Sequence, residues 1–309
     1  MEVNNLIIIG SGPAGYSAAL YAAREDFKPL LVGGFQKGGQ LTLTGVVENY
    51  PGFPEGIDGT TLMELFRKQS ERFGAKIIDD DVTSVDLSKR PFEINVGETK
   101  NYSKSVIIAT GASAMWLGLE SEKRLTGKGV SSCATCDGPF FKNKDVVVVG
   151  GGDTAMEDSN FLTRFANSVT IVHRRNEFRA SKIMQKKTLS NPKIRVIWDS
   201  VVEEVIGAEK VEGVKIKNLK TGETSMLKVG GVFVAIGHRP NTQFLNGQLK
   251  LDEKGYIITT DEVKTAIEGV FVAGDVADHK YRQAVTAASS GVKAALEARA
   301  YLNGASGSV

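Results

Sequence analysis

The chain holds two cysteines in 309 residues, and they stand at C-x-x-C spacing in Ser131-Ser132-Cys133-Ala134-Thr135-Cys136-Asp137-Gly138. If Cys133 opens a helix, Cys136 lies one turn on, close enough to close a disulfide after small adjustments. A helix N-terminus also lowers a thiol's pKa, because unpaired N–H groups and the helix dipole favour thiolate over thiol. Asp137 follows directly, and a carboxyl beside a dithiol can give or take the proton that thiol exchange moves. Zinc wants four ligands, yet there is no second cysteine pair, and His173, His238 and His279 show no ligand spacing. A pair of buried structural thiols is the bland alternative; a reversible redox dithiol accounts better for two lone cysteines at this spacing.

The stretches that must position such a dithiol come in two similar sets. Leu6–Ile9 reads as a short strand buried in a parallel sheet, followed by Gly10-Ser11-Gly12-Pro13-Ala14-Gly15 and a helical pattern through Arg24. Strand, G-x-G-x-x-G and helix in immediate succession make a dinucleotide turn. The next strand, Pro29–Val32, ends in Gly33-Gly34 rather than a ribose-binding acid, so this turn alone leaves the nucleotide undecided.

The same grammar returns at Asp145–Val149, followed by Gly150-Gly151-Gly152-Asp153-Thr154-Ala155 and a helix expected to run through Phe165. Its second strand, Val169–Val172, leads into His173-Arg174-Arg175, with Arg179 close behind. An NAD-selecting acid would stand there, about 20 residues past the first glycine. Arginines in its place would attract a 2′-phosphate through forked, charge-assisted hydrogen bonds, which points to NADPH over NADH.

Between and beyond these sets the reading is coarser. Gly38–Thr42 and Glu48–Pro54 look like polar loops able to line a ligand. Gly59–Phe73 has the apolar spacing of an amphipathic helix (Leu62, Leu65, Phe66, Phe73), and Asp79-Asp80-Asp81 is expected to be a solvated turn. Val106–Ala109, Val232–Ile236 and Val270–Ala273 read as further strands. The last of them runs into Gly274-Asp275, an alanine-rich helix is expected from about Tyr281 to Tyr301, and a frayed small-residue tail closes the chain.

Two nucleotide turns and one dithiol require a mediator, because a nicotinamide moves a hydride whereas a disulfide is opened by thiol exchange or by an electron pair. A flavin accepts the one and delivers the other. The length suits about two domains. A net charge of +2 implies neither a nucleic-acid nor a membrane partner. Met1–Asn5 is polar, Leu6–Ile9 is too short for a leader, and no apolar run approaches the ~20 residues of a spanning helix. A cytoplasmic protein is expected, the setting in which a C-x-x-C reads as catalytic.

Gly10–Gly15, Cys133-Ala134-Thr135-Cys136-Asp137-Gly138, Gly150–Ala155, His173-Arg174-Arg175 and Gly274-Asp275 with Tyr281-Arg282-Gln283-Ala284 together resemble low-molecular-weight thioredoxin reductase. The resemblance runs from about Leu6 to Leu302, in the family's motif order. It implies an α/β fold of two nested dinucleotide-binding, Rossmann-like domains of the two-dinucleotide-binding flavoprotein type. Residues 1–116 and 245–309 would form the FAD domain, and 117–244 the inserted NADPH domain carrying the dithiol. The crossings near Ala114–Gly118 and Asn241–Asn246 would form a hinge between two alternating domain orientations, in a homodimer.

Carried over by position, Cys136 would be the sulfur nearest the flavin, Cys133 would attack the disulfide of thioredoxin or a thioredoxin-like protein, and Asp137 would manage the proton. Ser11, Gly12, Pro13 and Ala14 would hold the FAD pyrophosphate, with Gln40, Leu41, Asn49 and Val82 on other parts of FAD and Asp275 on its ribityl chain. Arg282, Gln283 and Ala284 would sit by the flavin ring. Gly150, Gly152, Asp153 and Thr154 would form the NADPH turn, and Arg174, Arg175 and Arg179 would grip the 2′-phosphate. The implied reaction passes hydride from NADPH to FAD, then two electrons to the Cys133/Cys136 disulfide, then exchange with thioredoxin.

Two stretches depart from the family pattern. Ser289-Ser290-Gly291-Val292-Lys293 stands where relatives commonly have Gly-Ser-Gly-Cys-Met, and Ala114-Met115-Trp116 where relatives often carry a basic residue. Two other functions compete. A dithiol oxidase passing electrons to oxygen would leave the arginine cluster without purpose, and a redox sensor would show no sustained NADPH consumption.

Overall fold

The apolar run at the start of the chain becomes β1 (Val3–Ile9), and its residues alternate between two cores. Leu6 and Ile8 join one hydrophobic cluster while Ile7 and Ile9 join another, so the strand is buried on both faces. After it come α1 (Pro13–Arg24), β2 (Leu30–Val32), β3 (Val46–Val47), β4 (Ile57–Asp58), α2 (Gly59–Arg72), β5 (Lys76–Ile78), β6 (Val82–Asp86), β7 (Phe92–Val96), β8 (Thr99–Ile108) and β9 (Ala112–Ala114). This computed structural model describes residues 2–43 and 45–304; of the tail expected at 304–309, all but Gly304 lies outside the described residues.

The chain divides into two compact units, Met1–Ser113 with Arg239–Val309, and Ala114–His238. In the first unit, β5-β2-β1-β8 is a parallel array whose strands end level, Ile9 standing opposite Val32 and Ile108. The long β8 serves two partners on its other edge. Its first half pairs antiparallel with β7, and its second half pairs parallel with β19 (Val270–Val272). The β6-β7-β8 meander was not legible in the sequence, where only the apolar end of β8 stood out.

The unit closes with α7 (Ala284–Leu302), which lies on α1. Both helices present small residues, and a Cβ at Gly291 would overlap the Ala14 carbonyl. The expected start at Tyr281 is corrected: Arg282 has φ +48 and Gln283 is the N-cap, so the helix begins three residues later. The apolar face of α2 is Leu62, Met63 and Phe66, continued by its C-cap Phe73, whereas the expected member Leu65 is 45% exposed.

The second unit carries α3 (Glu120–Leu125), β10 (Val130–Ser131), α4 (Ala134–Asp137), β11 (Asp145–Val149), α5 (Asp153–Leu162), β12 (Ser168–Val172), α6 (Lys182–Leu189) and β13 (Ile194–Ile197). Then follow β14 (Ser200–Ile206), β15 (Gly213–Asn218), β16 (Thr224–Lys228) and β17 (Gly231–Val234), with β18 (His238–Pro240) leading out. The parallel sheet runs β10-β17-β11-β12-β13. α5 ends at Leu162 rather than Phe165, with Thr163 as its C-cap.

One face of this sheet is covered by the antiparallel sheet β14-β15-β16 instead of a helix: Val202, Val205, Val214 and Ile216 share a core with Val147, Val149, Val232 and Val234. The sequence gives this layer away poorly because β14 has a register shift between Val202 and Glu204, which breaks the two-residue alternation. Trp116 packs on the same core. Among the described residues, no helix is long and apolar enough to cross a membrane.

Candidate active site

In the first unit, β1, β2, β8 and β19 all end on one edge, and the predicted ligand residues gather there, as expected where parallel strands fan apart around a switch point. Gly10 turns the chain with φ +111, and a Cβ on it would run into the Ala109 carbonyl. Gly12 then stands open, with nothing near a would-be Cβ, as N-cap of α1 with Pro13 in its first turn. The first amides of a helix have no intrahelical partner, so this turn presents donors to an anion.

Ser11 is buried, and its hydroxyl is used internally. Oγ donates to the Gly33 carbonyl (2.6 Å) and accepts the Gly38 amide (3.1 Å). These bonds draw the 3-10 turn Gly39–Leu43, with Gln40 and Leu41, up to the glycine turn, where Gly39 approaches Gly12. The aspartate run is not simply a solvated turn. Asp79 pairs with Arg67 (2.7 Å) and Lys37 (2.8 Å), and Asp81 Oδ1, one residue before Val82, accepts the Phe35 amide (3.1 Å). The run thus holds the loop after β2, and Arg67 and Lys37 keep Asp79's carboxyl below the usual range despite the opposing effect of burial.

Asp275 lies in a 3-10 turn, Gly274–Val276, beside the start of α1: a Cβ on Gly274 would lie 3.0 Å from that of Ala14. Ser290 Oγ accepts the Gly274 amide (2.8 Å), while Ser289 of the departing stretch is exposed. Asp275 Oδ1 is buried with no hydrogen-bond partner among the described residues. Burial pushes this carboxyl up to about 7, the Asp278 charge adding and Arg282 opposing. A buried acceptor without a donor fits a hydroxyl-bearing ligand. Asn49 Nδ2 donates to Gln283 Oε1 (3.1 Å), which joins the loop after β3 to the N-cap of α7 and so to Ala284.

In the second unit, Gly150–Gly152 leads into α5 with Asp153 and Thr154 as its first residues. A Cβ on Gly151 would collide with the His173 ring, which is buried against Phe178 and Trp198. His173 Nε2 faces the Glu177 carbonyl (3.0 Å), an acceptor only, so Nε2 carries the proton and donates. Burial, with the charges of Arg179, Arg175 and Arg174, holds the imidazole below its ordinary pKa against that hydrogen bond. Arg174, Arg175 and Arg179 are exposed, and none has a carboxylate partner among the described residues. The Gly151 carbonyl accepts the Arg179 amide (2.8 Å) and the Ala180 amide (3.2 Å). Asp153 Oδ1 accepts both the amide (2.9 Å) and the hydroxyl (2.8 Å) of Ser181, a residue whose role no motif spacing signals.

The dithiol lies in this second unit with the arginines, whereas the residues assigned to FAD lie in the first. It leaves the same carboxyl edge as the glycine turn, since β10 runs parallel to β17 and ends at Ser131. Cys133 and Cys136 are joined as a disulfide, with their Cα atoms 5.3 Å apart. Cys133 is the N-cap of the one-turn α4, and its Sγ accepts the Cys136 amide (3.3 Å). Buried Ser131 accepts the Cys133 amide on Oγ (3.0 Å), a support that sequence reading did not single out. Burial raises Asp137's carboxyl above the ordinary range, with the Ser131 hydroxyl pulling the other way.

The sequence pattern of the pyridine nucleotide-disulphide oxidoreductase family matches residues 4–291. Thioredoxin reductase of Rickettsia typhi is 56% identical over 303 residues, covering 96% of this chain and 98% of that protein. The Streptomyces coelicolor thioredoxin reductase is 54% identical over 304 residues, covering 97% and 94%. The solved thioredoxin reductase from Giardia duodenalis has a TM-score of 0.94 at 45% identity, covering 98% of this chain and all (100%) of that one. With a disulfide and two glycine turns at the carboxyl edges of parallel sheets, the chain belongs to the pyridine nucleotide-disulphide oxidoreductases, among the low-molecular-weight thioredoxin reductases.

Proposed function

We propose that the chain is an NADPH-dependent flavoprotein that reduces the disulfide of thioredoxin or a thioredoxin-like protein, and that it works as a homodimer. The observation that carries this reading is the Cys133–Cys136 disulfide, in one unit with a nucleotide turn and three arginines that have no carboxylate partner among the described residues. The first unit, Met1–Ser113 with Arg239–Val309, would hold FAD, and Ala114–His238 would hold NADPH. The open Gly12 face and the orphaned Asp275 oxygen fit FAD's pyrophosphate and polyol hydroxyls. Flavin, when bound, takes a hydride from nicotinamide and passes two electrons to a disulfide.

The chain's own residues then carry out exchange. Reduced Cys133, as thiolate, attacks one sulfur of the partner's disulfide; the Cys133–partner bond forms as the partner's S–S bond breaks. Cys136 attacks Cys133's sulfur, restores the Cys133–Cys136 disulfide and releases the partner as a dithiol. Two protons accompany the two electrons, and Asp137, whose buried carboxyl keeps its proton to a higher pH than usual, supplies and recovers one of them. The Cys136 amide on Cys133 Sγ favours the anion needed for attack.

The test follows NADPH oxidation at substoichiometric FAD-loaded enzyme with oxidised thioredoxin, for wild type and Cys136→Ser in parallel. Sustained turnover that disappears in the variant is expected. Flavin reduction without turnover on any thioredoxin would remove the substrate assignment and leave a small-molecule dithiol or sensor role. Sedimentation of the holoenzyme tests the dimer.

A further inference from the structure

An acid at the first position of α5 is an odd neighbour for a pyrophosphate. Its charge suits the helix dipole but opposes an anionic ligand at the same place. The carboxylate instead turns to Ser181 and accepts two hydrogen bonds from it, at 2.9 and 2.8 Å. Ser181 is the N-cap of α6, where a serine ordinarily accepts an amide of the first turn. Here it makes no side-chain cap bond; its hydroxyl is turned to Asp153 as a donor, and α6 begins without that support. Next door, the Gly151 carbonyl accepts the Arg179 and Ala180 amides. The loop that carries Arg174, Arg175 and Arg179 is therefore fastened at its exit by Gly151 and Asp153, and at its entrance by buried His173 through Glu177.

We propose that Asp153 and Ser181 form a latch that sets the arginine loop against the glycine turn, and that this latch, rather than a contact to the nucleotide, is how both residues favour NADPH over NADH. The inference rests on the reading that the arginines take the 2′-phosphate. Two phosphate groups of one ligand must be met at once, one by the turn and one by the loop. An untied loop meets them only in a fraction of its conformations, and the affinity for the doubly phosphorylated ligand falls by that fraction. A ligand without the 2′-phosphate does not use the loop and is indifferent to the latch.

The test measures binding of adenosine 2′,5′-bisphosphate and of 5′-AMP to FAD-loaded enzyme by calorimetry, together with KM for NADPH and NADH. Ser181→Ala is expected to weaken the bisphosphate about tenfold, the size of a lost charge-assisted hydrogen bond, and to raise the NADPH KM likewise. Binding of 5′-AMP and the NADH KM should stay within about twofold on the same scale. Ser181→Thr keeps the hydroxyl donor and should stay near wild type for both ligands. Equal weakening of both ligands, no weakening of either, or a Thr variant as poor as the Ala variant would overturn the latch. Arg174→Ala separates the two levels: if it spares the bisphosphate, the 2′-phosphate reading fails and the latch with it; if it weakens the bisphosphate while Ser181→Ala does not, the latch alone fails.

Discussion

Asp275→Asn should make the FAD-free chain more stable, and by an amount that depends on pH. Burial raises the carboxyl from 3.8 to about 7, so between these values the folded state holds a proton that the unfolded state has released. Stability contributed by this group is therefore lost as pH rises from about 4 to about 7, and is flat above that. At 1.36 kcal/mol per pKa unit, the group costs about 4 kcal/mol at pH 8, where it ionises in place, but only about 2 kcal/mol at pH 5, where the folded state keeps it protonated. An asparagine does not titrate, so its own packing and hydrogen bonds contribute equally at both pH values.

The advantage of the variant should thus grow by about 2–3 kcal/mol from pH 5 to pH 8. Both tryptophans, Trp116 and Trp198, lie in the other unit and do not report on Asp275. Hydrogen exchange of β1 and β19 amides against urea, at both pH values, does. Loading FAD should shrink the gap, because a hydroxyl donated to Oδ1 favours the carboxylate, and the variant should bind FAD about tenfold or more weakly. A pH-independent difference between the proteins, or wild type gaining on the variant as pH rises, would refute the reasoning.

Gly291→Ala separates helix propensity from packing: propensity alone predicts a gain of up to about 1 kcal/mol, whereas the collision with the Ala14 carbonyl predicts a net loss of roughly 1–2 kcal/mol, read from the urea midpoint. Glu122 is 2% exposed and its carboxylate accepts the Leu117, Gly118 and Leu119 amides at 2.9, 2.9 and 3.4 Å. Glu122→Ala should cost about 3 kcal/mol and Glu122→Gln less, both measured by denaturation, because the first leaves buried donors unmatched. Asp137→Asn should be more stable than wild type at pH 7, with the advantage vanishing as pH falls to 3.8, since its raised folded pKa makes the ionised form unfavourable above that value. The same variant should turn over more slowly with thioredoxin, and an unchanged rate would remove Asp137 from proton transfer.

Local grammar was readable from the chain by itself because it is written within a few residues. An apolar run followed by G-x-G-x-x-G and small helical residues has few other uses, and C-x-x-C with a following acid names its own chemistry. The β11 strand fell on its expected residues, and Cys133 caps a short helix that contains Cys136, the arrangement in which the two sulfurs meet. What the chain could not announce depends on residues far apart in sequence. Asp79, expected in water, finds Lys37 and Arg67 only once α2 and β5 have packed. Asp275's raised pKa comes from burial in the folded chain, with the Asp278 charge adding to it, and Ser181 meets Asp153 across 28 positions. The sheet β14-β15-β16 escaped notice because a bulge erased its alternation, and α7 began late because Arg282 takes a left-handed turn. Residue types and short spacings settle which chemistry is available, since they act through bonds and backbone geometry. Which groups are desolvated, paired or left wanting a donor is settled by packing, and only the tertiary structure holds that.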